Sequence, residues 1–424
     1  MPSAPPLHRR VARPLRWLLP EGADPAALPL LLARALRAFA DGYVAVLLPA
    51  YLLALGHGVW EVGVLSTATL LGSALATLAL GAWGHRAPQR SLLLGAALLM
   101  AATGLGFAGL TGFWPLLLVA FFGTLNPGSG DVSVFLPLEH ARLAQVGEGM
   151  DRTRIFARYS LVGALCAAAG ALAAGLPDLL AAAGVDRLDA LRGMFLVYAA
   201  VGLLIWRLYA RIPMPQAHAA APSPTPLGPS RGVVIRLALL FSVDAFAGGL
   251  VVNSLLALWL FERFGLSLAA AGAFFFWSGL LGALSQLAAP WLARRIGLIN
   301  TMVFTHIPAS AFLILAALAA DMAWAMGLLL VRAALSQMDV PARSAYVMAV
   351  VTPGERAAAA SFTAVPRSLA AALGPMLGGA LFAGGWLAAP LVACGCLKIA
   401  YDLALWRIFR RHPVEHVVSH VETC

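Results

Sequence analysis

Pro213-Met-Pro-Gln-Ala-His-Ala-Ala-Ala-Pro-Ser-Pro-Thr-Pro-Leu-Gly-Pro-Ser230 lies almost at the middle of the 424 residues, and its reading decides how the rest is read. Each proline lacks a backbone donor and pushes the preceding residue out of the helical region, so the run holds no helix. In hydrocarbon its polar groups would go unsatisfied, which places it in water. It reads as a linker over 212–231, and what flanks it is apolar. The chain is 61% hydrophobic and 11% charged, with mean hydropathy +0.85, far from a soluble domain.

Crossing hydrocarbon roughly 30 Å thick takes about 20 apolar residues. Stretches of that kind are Leu28–Leu55, Trp60–Trp83, Leu92–Thr111, Trp114–Leu138, Ile155–Leu176 and Leu191–Ala210 before the linker. After it come Val233–Phe261, Leu268–Leu292, Ile299–Ala320, Ala323–Val350, Ala357–Ala383 and Trp386–Ile408. The expected architecture is an all-α membrane protein with twelve transmembrane helices. A segment 1–27 precedes a first six-helix bundle, 28–211, and a second bundle, 232–411, precedes a tail, 412–424.

The formal charge of +10 reports topology rather than nucleic acid. Arg9, Arg10, Arg13, Arg16, Arg86, Arg90, Arg142, Arg152, Arg154, Arg211, Arg231, Arg294, Arg295, Arg356, Arg410 and Arg411 fall on one side if the spans alternate. Arg187, Arg192 and Arg263 fall on the other. The positive-inside rule then makes the linker and both termini cytoplasmic. Span 1 is too long for a signal-peptide core and is expected to be retained. Cys166, Cys394, Cys396 and Cys424 give no disulfide framework.

The two sides repeat each other. Gly63 matches Gly272, Arg86 matches Arg295, Arg158 matches Arg367, and Gly170-Ala-Leu-Ala-Ala-Gly175 matches Gly379-Ala-Leu-Phe-Ala-Gly384, always 209 residues apart. Asp41 in span 1 matches Asp244 in span 7 at 203. Repeated halves are common in transporters.

Twelve spans in two pseudo-symmetric halves joined by a cytoplasmic linker resemble the major facilitator superfamily over Leu28 to Arg411. That family's loop between spans 2 and 3 reads Gly-x-x-x-Asp-Arg-x-Gly-Arg-Arg. The stretch here, Gly81-Ala-Trp-Gly-His85-Arg86-Ala-Pro88-Gln89-Arg90, keeps Gly81, Arg86 and Arg90 and has His85 in the acidic position. Pro290-Trp-Leu-Ala-Arg294-Arg295-Ile-Gly297 is the second copy and keeps Arg295 and Gly297. The resemblance implies a latch between the halves built from Gly81, His85, Arg86, Arg90, Arg158, Arg295, Gly297 and Arg367, and His85 leaves it either lost or sensitive to pH. The resemblance also implies that spans 1, 4, 7 and 10 line a central cavity.

Ionisable groups inside spans are costly and are candidates for function by default. Asp41, Asp131, Asp244 and Asp339 lie in spans 1, 4, 7 and 10. Carboxylates in low dielectric load and release protons, as a proton-coupled pathway requires. The alternative for Asp41 is structural pairing with Arg37, four residues earlier. In span 10, Arg332, Ser336, Asp339, Arg343 and Tyr346 fall on one helical stripe, facing a cavity or clamping two helices. Arg332 resembles the membrane-embedded arginine of proton-driven family members, which those carry in span 4. Asn126-Pro-Gly-Ser-Gly-Asp131 interrupts span 4, as part of the pathway, a hinge or a proline kink. Gly374-Pro-Met-Leu-Gly378-Gly379 in span 11 resembles a run that exporters of the family carry in span 5.

Other groups have simpler readings. His306 is a proton relay or a satisfied packing histidine, and Lys398 and Asp402 form an i, i+4 ion pair. Cys394 and Cys396, or His412, His416, His420 and Cys424 in the tail, have spacings that suit a metal, with buried small residues and an exposed tail as the alternatives.

An ATP-driven pump needs a P-loop lysine, and Lys398, the one lysine of the sequence, sits inside a span. Neither a His-Glu-x-x-His motif nor a nucleophile elbow occurs. The sequence therefore predicts no enzyme, no cofactor, no metal and no nucleic-acid partner. It predicts a secondary transporter of a small solute in the bacterial inner membrane, working by alternating access, with proton-coupled efflux in first place. Proton symport or facilitative uptake of a nutrient is the alternative. A non-transporting receptor or scaffold ranks last, since it would call for a soluble signalling domain or a long tail.

Overall fold

The computed structural model describes residues 27–128, 133–146, 149–212 and 227–410. Asp131, most of the linker and the His/Cys tail with His412, His416, His420 and Cys424 lie outside the described residues. Within them the chain forms sixteen α-helices and no strand. A helix hydrogen-bonds all its own backbone, which hydrocarbon demands of any open segment.

In the first half α1 (Ala27–Ala54), α2 (Val59–Trp83) and α3 (Gln89–Gly109) are followed by α4 (Phe113–Phe122), α5 (Phe135–Val146), α6 (Gly149–Ala173), α7 (Leu176–Ala182) and α8 (Arg187–Ala210). The second half has α9 (Arg231–Gly249), α10 (Asn253–Phe264), α11 (Leu268–Ile296), α12 (Leu298–Leu318), α13 (Met322–Ser336), α14 (Asp339–Ala349), α15 (Arg356–Ala383) and α16 (Ala389–Phe409). Helix α1 packs along α6 and α8, and α3 along α8; in the second half α12 and α9 both pack on α16. Large side chains such as Trp114, Leu118, Leu239 and Trp324 remain exposed on the outside. A lipid solvent accepts such a surface and water does not.

Nine helical paths among the described residues are long and apolar enough to cross a membrane. The other three crossings are informative. Helix α1 carries Arg34, Arg37 and Asp41 within its 28 residues. The fourth crossing is divided into α4 and α5, and the tenth into α13 and α14. The span-10 stripe is therefore not one helix: Gln337 and Met338 separate Arg332 and Ser336 from Asp339, Arg343 and Tyr346. The seventh crossing, read from sequence as continuous, is also broken, at Leu250–Val252 between α9 and α10.

Gly63, Gly272 and Gly379 of the repeat mark where the halves touch. Helix α2 runs along α15, and α6 along α11. A Cβ added to Gly63 would stand 2.6 Å from the Pro375 carbonyl oxygen and 2.8 Å from the Gly379 Cα. At the symmetry-related place, a Cβ on Gly272 would strike the Ala171 carbonyl. Thr67 Oγ1 accepts the Met376 N–H at 2.8 Å, Ser66 and Ser254 hydroxyls meet at 3.1 Å, and Asp178 accepts the Ala269 N–H at 3.1 Å.

On the linker side, the end of the linker is tied to the turn Pro353–Glu355 between α14 and α15. The Glu355 carboxylate accepts from the Ser230 hydroxyl at 2.6 Å, the Thr352 hydroxyl at 2.7 Å and the Gly228 N–H. Gly297, at φ 85°, makes the corner between α11 and α12, a left-handed conformation that costs glycine little.

Gly63→Val places methyl groups against backbone that has no room to yield, an overpacking of about 1–3 kcal/mol. Spin labels at positions 57 and 386 are expected to move apart in this variant. An unchanged distance and an unchanged Tm would contradict a close contact there.

The hydrogen bonds from Ser230, Thr352 and Gly228 hold Glu355 down to about 2, below the ordinary 4.5. A carboxylate whose folded pKa is depressed contributes stability that is complete above its unfolded pKa and vanishes as pH falls through the folded one. The Tm difference between wild type and Glu355→Gln should be flat above pH 4.5 and shrink between 4.5 and about 2. A difference that does not vary with pH would sever the clasp from the carboxylate charge.

Candidate functional site

Two buried polar clusters occupy the interior, one per half. In the first, Arg37 of α1 donates to Glu139 of α5 at 2.7 Å and to the Tyr159 hydroxyl of α6 at 3.1 Å. Tyr159 and Tyr209 hydroxyls both donate to Glu139, and the Arg37 guanidinium lies 4.5 Å over the Phe135 ring. Four helices meet on one carboxylate that is fully buried. This corrects the pairing of Arg37 with Asp41: the guanidinium reaches across the bundle to Glu139, because a carboxylate sealed from water needs a full set of donors. Asp41 itself is buried, and its Oδ1 finds no hydrogen-bond partner among the described residues.

The second cluster is larger. Asp244 of α9 takes Arg343 Nη1 of α14 on one oxygen at 3.0 Å and Lys398 Nζ of α16 on the other at 2.6 Å. Arg343 also pairs with Asp339 one turn back at 3.2 Å. His306 of α12 has Nδ1 at 3.0 Å from Asp402 of α16, Nε2 at 3.4 Å from Lys398 Nζ and 3.9 Å from Asp244. The edge of the Tyr401 ring lies against the imidazole, 6.2 Å between centroids. The expected i, i+4 pair of Lys398 and Asp402 does not form: Lys398 goes to Asp244 and Asp402 to His306. One helical turn sets both side chains on α16, and the better partners lie on α9 and α12.

Formal charges show what this cluster is able to do. Asp244, Asp339 and Asp402 face two permanent cations, Arg343 and Lys398. One negative charge remains if His306 is neutral, and one proton offsets it. In a neutral histidine Nδ1–H would donate to Asp402 and Nε2 would accept from Lys398.

Two of the interrupted crossings, the fourth and the seventh, meet each other. Asn126 is buried at the break in the fourth crossing, its Oδ1 accepting the Gly128 N–H at 3.2 Å. The Pro127 carbonyl freed by that break accepts the Ser254 N–H of the first turn of α10 at 3.0 Å. An orphan acceptor from one half thus satisfies an orphan donor from the other. Arg332 and Ser336 are half-buried at the end of α13, and Arg332 has no hydrogen-bond or ion-pair partner among the described residues.

The residues of the expected latch are spread along the linker side. Gly81 is exposed on α2, and His85 and Arg86 belong to the 3-10 turn Gly84–Arg86. Arg90 donates to the Ala210 carbonyl at 2.7 Å, within its own half. Arg295 lies 4.4 Å over the Trp291 ring beside Gly297, while Arg158 on α6 and Arg367 on α15 each have interactions of their own. Cys394 is buried and Cys396 exposed, so the two thiols do not converge. Among the described residues no group of three His, Cys, Asp or Glu side chains converges for a metal.

Sequence reasoning missed Glu139 and the tyrosines around it. The fourth span was ended at Leu138, one residue short, and the signal available was a glutamate directly at the end of an apolar run.

The Major Facilitator Superfamily profile matches residues 30–338. An uncharacterized membrane protein of Saccharomyces cerevisiae is 25% identical over 410 residues, 88% of this chain and 92% of that one. A bacterial homologue of the human lysosomal transporter Spinster, solved inward-facing and occupied, superposes with a TM-score of 0.72 at 16% identity, covering 94% of this chain and 98% of that one. The D-xylose–proton symporter gives 0.70 at 15% identity, covering 89% and 97%. At such identities the structures establish the fold alone. The family match does more, since it runs through both halves and across the linker: the chain belongs to the Major Facilitator Superfamily and is a multi-pass membrane transporter of small solutes.

Proposed function

We propose that this transporter is proton-coupled and that the His306–Asp402 pair carries the proton. The observation that supports this reading is the charge imbalance of the second cluster. Three carboxylates against two permanent cations, all in low dielectric, leave a site that one proton neutralises. His306 and Asp402 are the two groups of the cluster with an exchangeable proton between them, and the rest are held by direct ion pairs. A proton on Nε2 would turn Lys398 wholly toward Asp244, so loading alters contacts among α9, α12 and α16. The D-xylose–proton symporter is one neighbour of similar fold.

The clustering of arginines on the linker side supports cytoplasmic termini and linker, in a bacterial inner membrane. The glycine–proline run Gly374–Gly379 supports export, and the latch residues about Arg86 and Arg295 are proposed to hold the linker-side ends together when that side closes. Glu139 has a different part in this reading. Filled by Arg37, Tyr159 and Tyr209, it ties α1, α5, α6 and α8 into one moving body.

Currents on a solid-supported membrane, driven by pH steps of either sign, test the coupling with D-xylose, uridine, benzoate and benzylamine as solutes. His306→Gln and Asp402→Asn should each reduce the proton current about tenfold, the equivalent of about 1.4 kcal/mol on the barrier. Solute movement in either variant with unaltered proton coupling would remove the pair from the pathway. Glu139→Ala, by contrast, strands Arg37 without a partner and should cost about 3–5 kcal/mol of stability. A wild-type Tm in that variant would refute its structural part.

A further inference from the structure

We infer that Arg332 receives an anionic group of the transported solute, so that the substrate is an organic anion bearing a carboxylate or phosphate. This rests on the reading of the chain as a transporter and adds the chemical class of its cargo.

An arginine remains ionised at any physiological pH. Inside a membrane protein such a charge is retained where it pairs or where it serves a pathway. The other deep cations of this chain with described partners are accounted for: Arg37 by Glu139, Arg343 by Asp244 and Asp339, Lys398 by Asp244. Arg332 has no such acceptor among the described residues, and the titratable group facing it is the thiol of Cys394 on α16. A neutral thiol is a weak acceptor. Asp244 of the nearby cluster has no room for a third cation, since Lys398 and Arg343 already occupy its two oxygens.

Position argues against lipid. On α13, Ala325, Leu329 and Ala333 are buried, while Trp324 and Val331 are exposed. Arg332 is one turn from Leu329 and from Ser336, on the inner side, and is half-buried. It sits a turn before the break at Gln337–Met338, where α13 ends within the tenth crossing. The planar guanidinium, with five donors in a fixed fork, suits a carboxylate or phosphate in two-point contact, and the Ser336 hydroxyl one turn on adds a donor on the same side.

Two measurements on the purified full chain test this. Removing a buried charge that has no counter-ion should not destabilise the empty protein. The Tm of Arg332→Gln is therefore expected at or above wild type, whereas Arg343→Gln, which strands Asp339 and leaves Asp244 with Lys398, lowers it. A fall in Arg332→Gln matching that of Arg343→Gln would overturn the proposal by exposing a structural partner. The second measurement is thermal stabilisation by benzoate and phenyl phosphate beside benzyl alcohol and benzylamine. At least one of the anions should stabilise wild type, bind about tenfold to a hundredfold more weakly to Arg332→Gln, and regain part of the affinity in Arg332→Lys. Stabilisation by neither anion, or equally by their uncharged or cationic counterparts, would overturn it. Anion binding without any solute-driven current would refute transport and leave Arg332 in place; a current carried by benzylamine or D-xylose alone would do the reverse.

Discussion

A carboxylate sealed in hydrocarbon must be neutralised by what the fold itself provides, and this constraint shapes the interior. Asp244 shows it most plainly, with a lysine on one oxygen and an arginine on the other, contributed by helices far apart in the sequence. Each such contact fixes two helices against each other more narrowly than leucine packing does, because the charge gains its full interaction only at hydrogen-bond distance. The same holds in the first half, where Glu139 draws in Arg37 and two tyrosines. The halves are alike in architecture and differ in what gathers on the carboxylate: Glu139 takes one cation, Arg37, and Asp244 takes two, Arg343 and Lys398.

Between these polar bodies the joining surface is made of what is absent. Gly63 against Gly379, and Gly272 against Ala171, bring backbone onto backbone with no side chain between them. Small residues let helices approach closely where lipid supplies no hydrophobic drive for association. Such a seam is tight in one geometry and leaves little to hold it in another, which suits two bodies that rock. The broken helices at Pro127 and Ser254 cross the same seam.

Much of this was legible in the sequence because membrane thickness sets the length of a span and proline-rich segments do not enter lipid. The glycines that recur 209 residues apart were legible as a repeat, and the structure adds that they are contact points. The rarity of deep acids singled out Asp41, Asp244 and Asp339. Their partners were not readable. Spacing along one helix pairs Arg37 with Asp41 and Lys398 with Asp402, whereas the fold pairs Arg37 with Glu139, Lys398 with Asp244 and His306 with Asp402, residues 102, 154 and 96 positions apart. Local periodicity carries no information about such distances. The break after Gly248-Gly249 passed unnoticed because both of its pieces are apolar.

The division of the tenth crossing bears on how the protein is made. At 1.5 Å per residue, the 15 residues of α13 and the 11 of α14 rise about 22 and about 16 Å, so neither alone crosses hydrocarbon roughly 30 Å thick. An arginine at the centre of a nascent segment adds about 2.5–3.5 kcal/mol against its partition into lipid. This stretch settles only against α11 and α12, which the ribosome delivers first and which the finished fold keeps as its neighbours. Biogenesis of the second half is then an ordered affair, in which this charged crossing depends on a lodging prepared by the two before it.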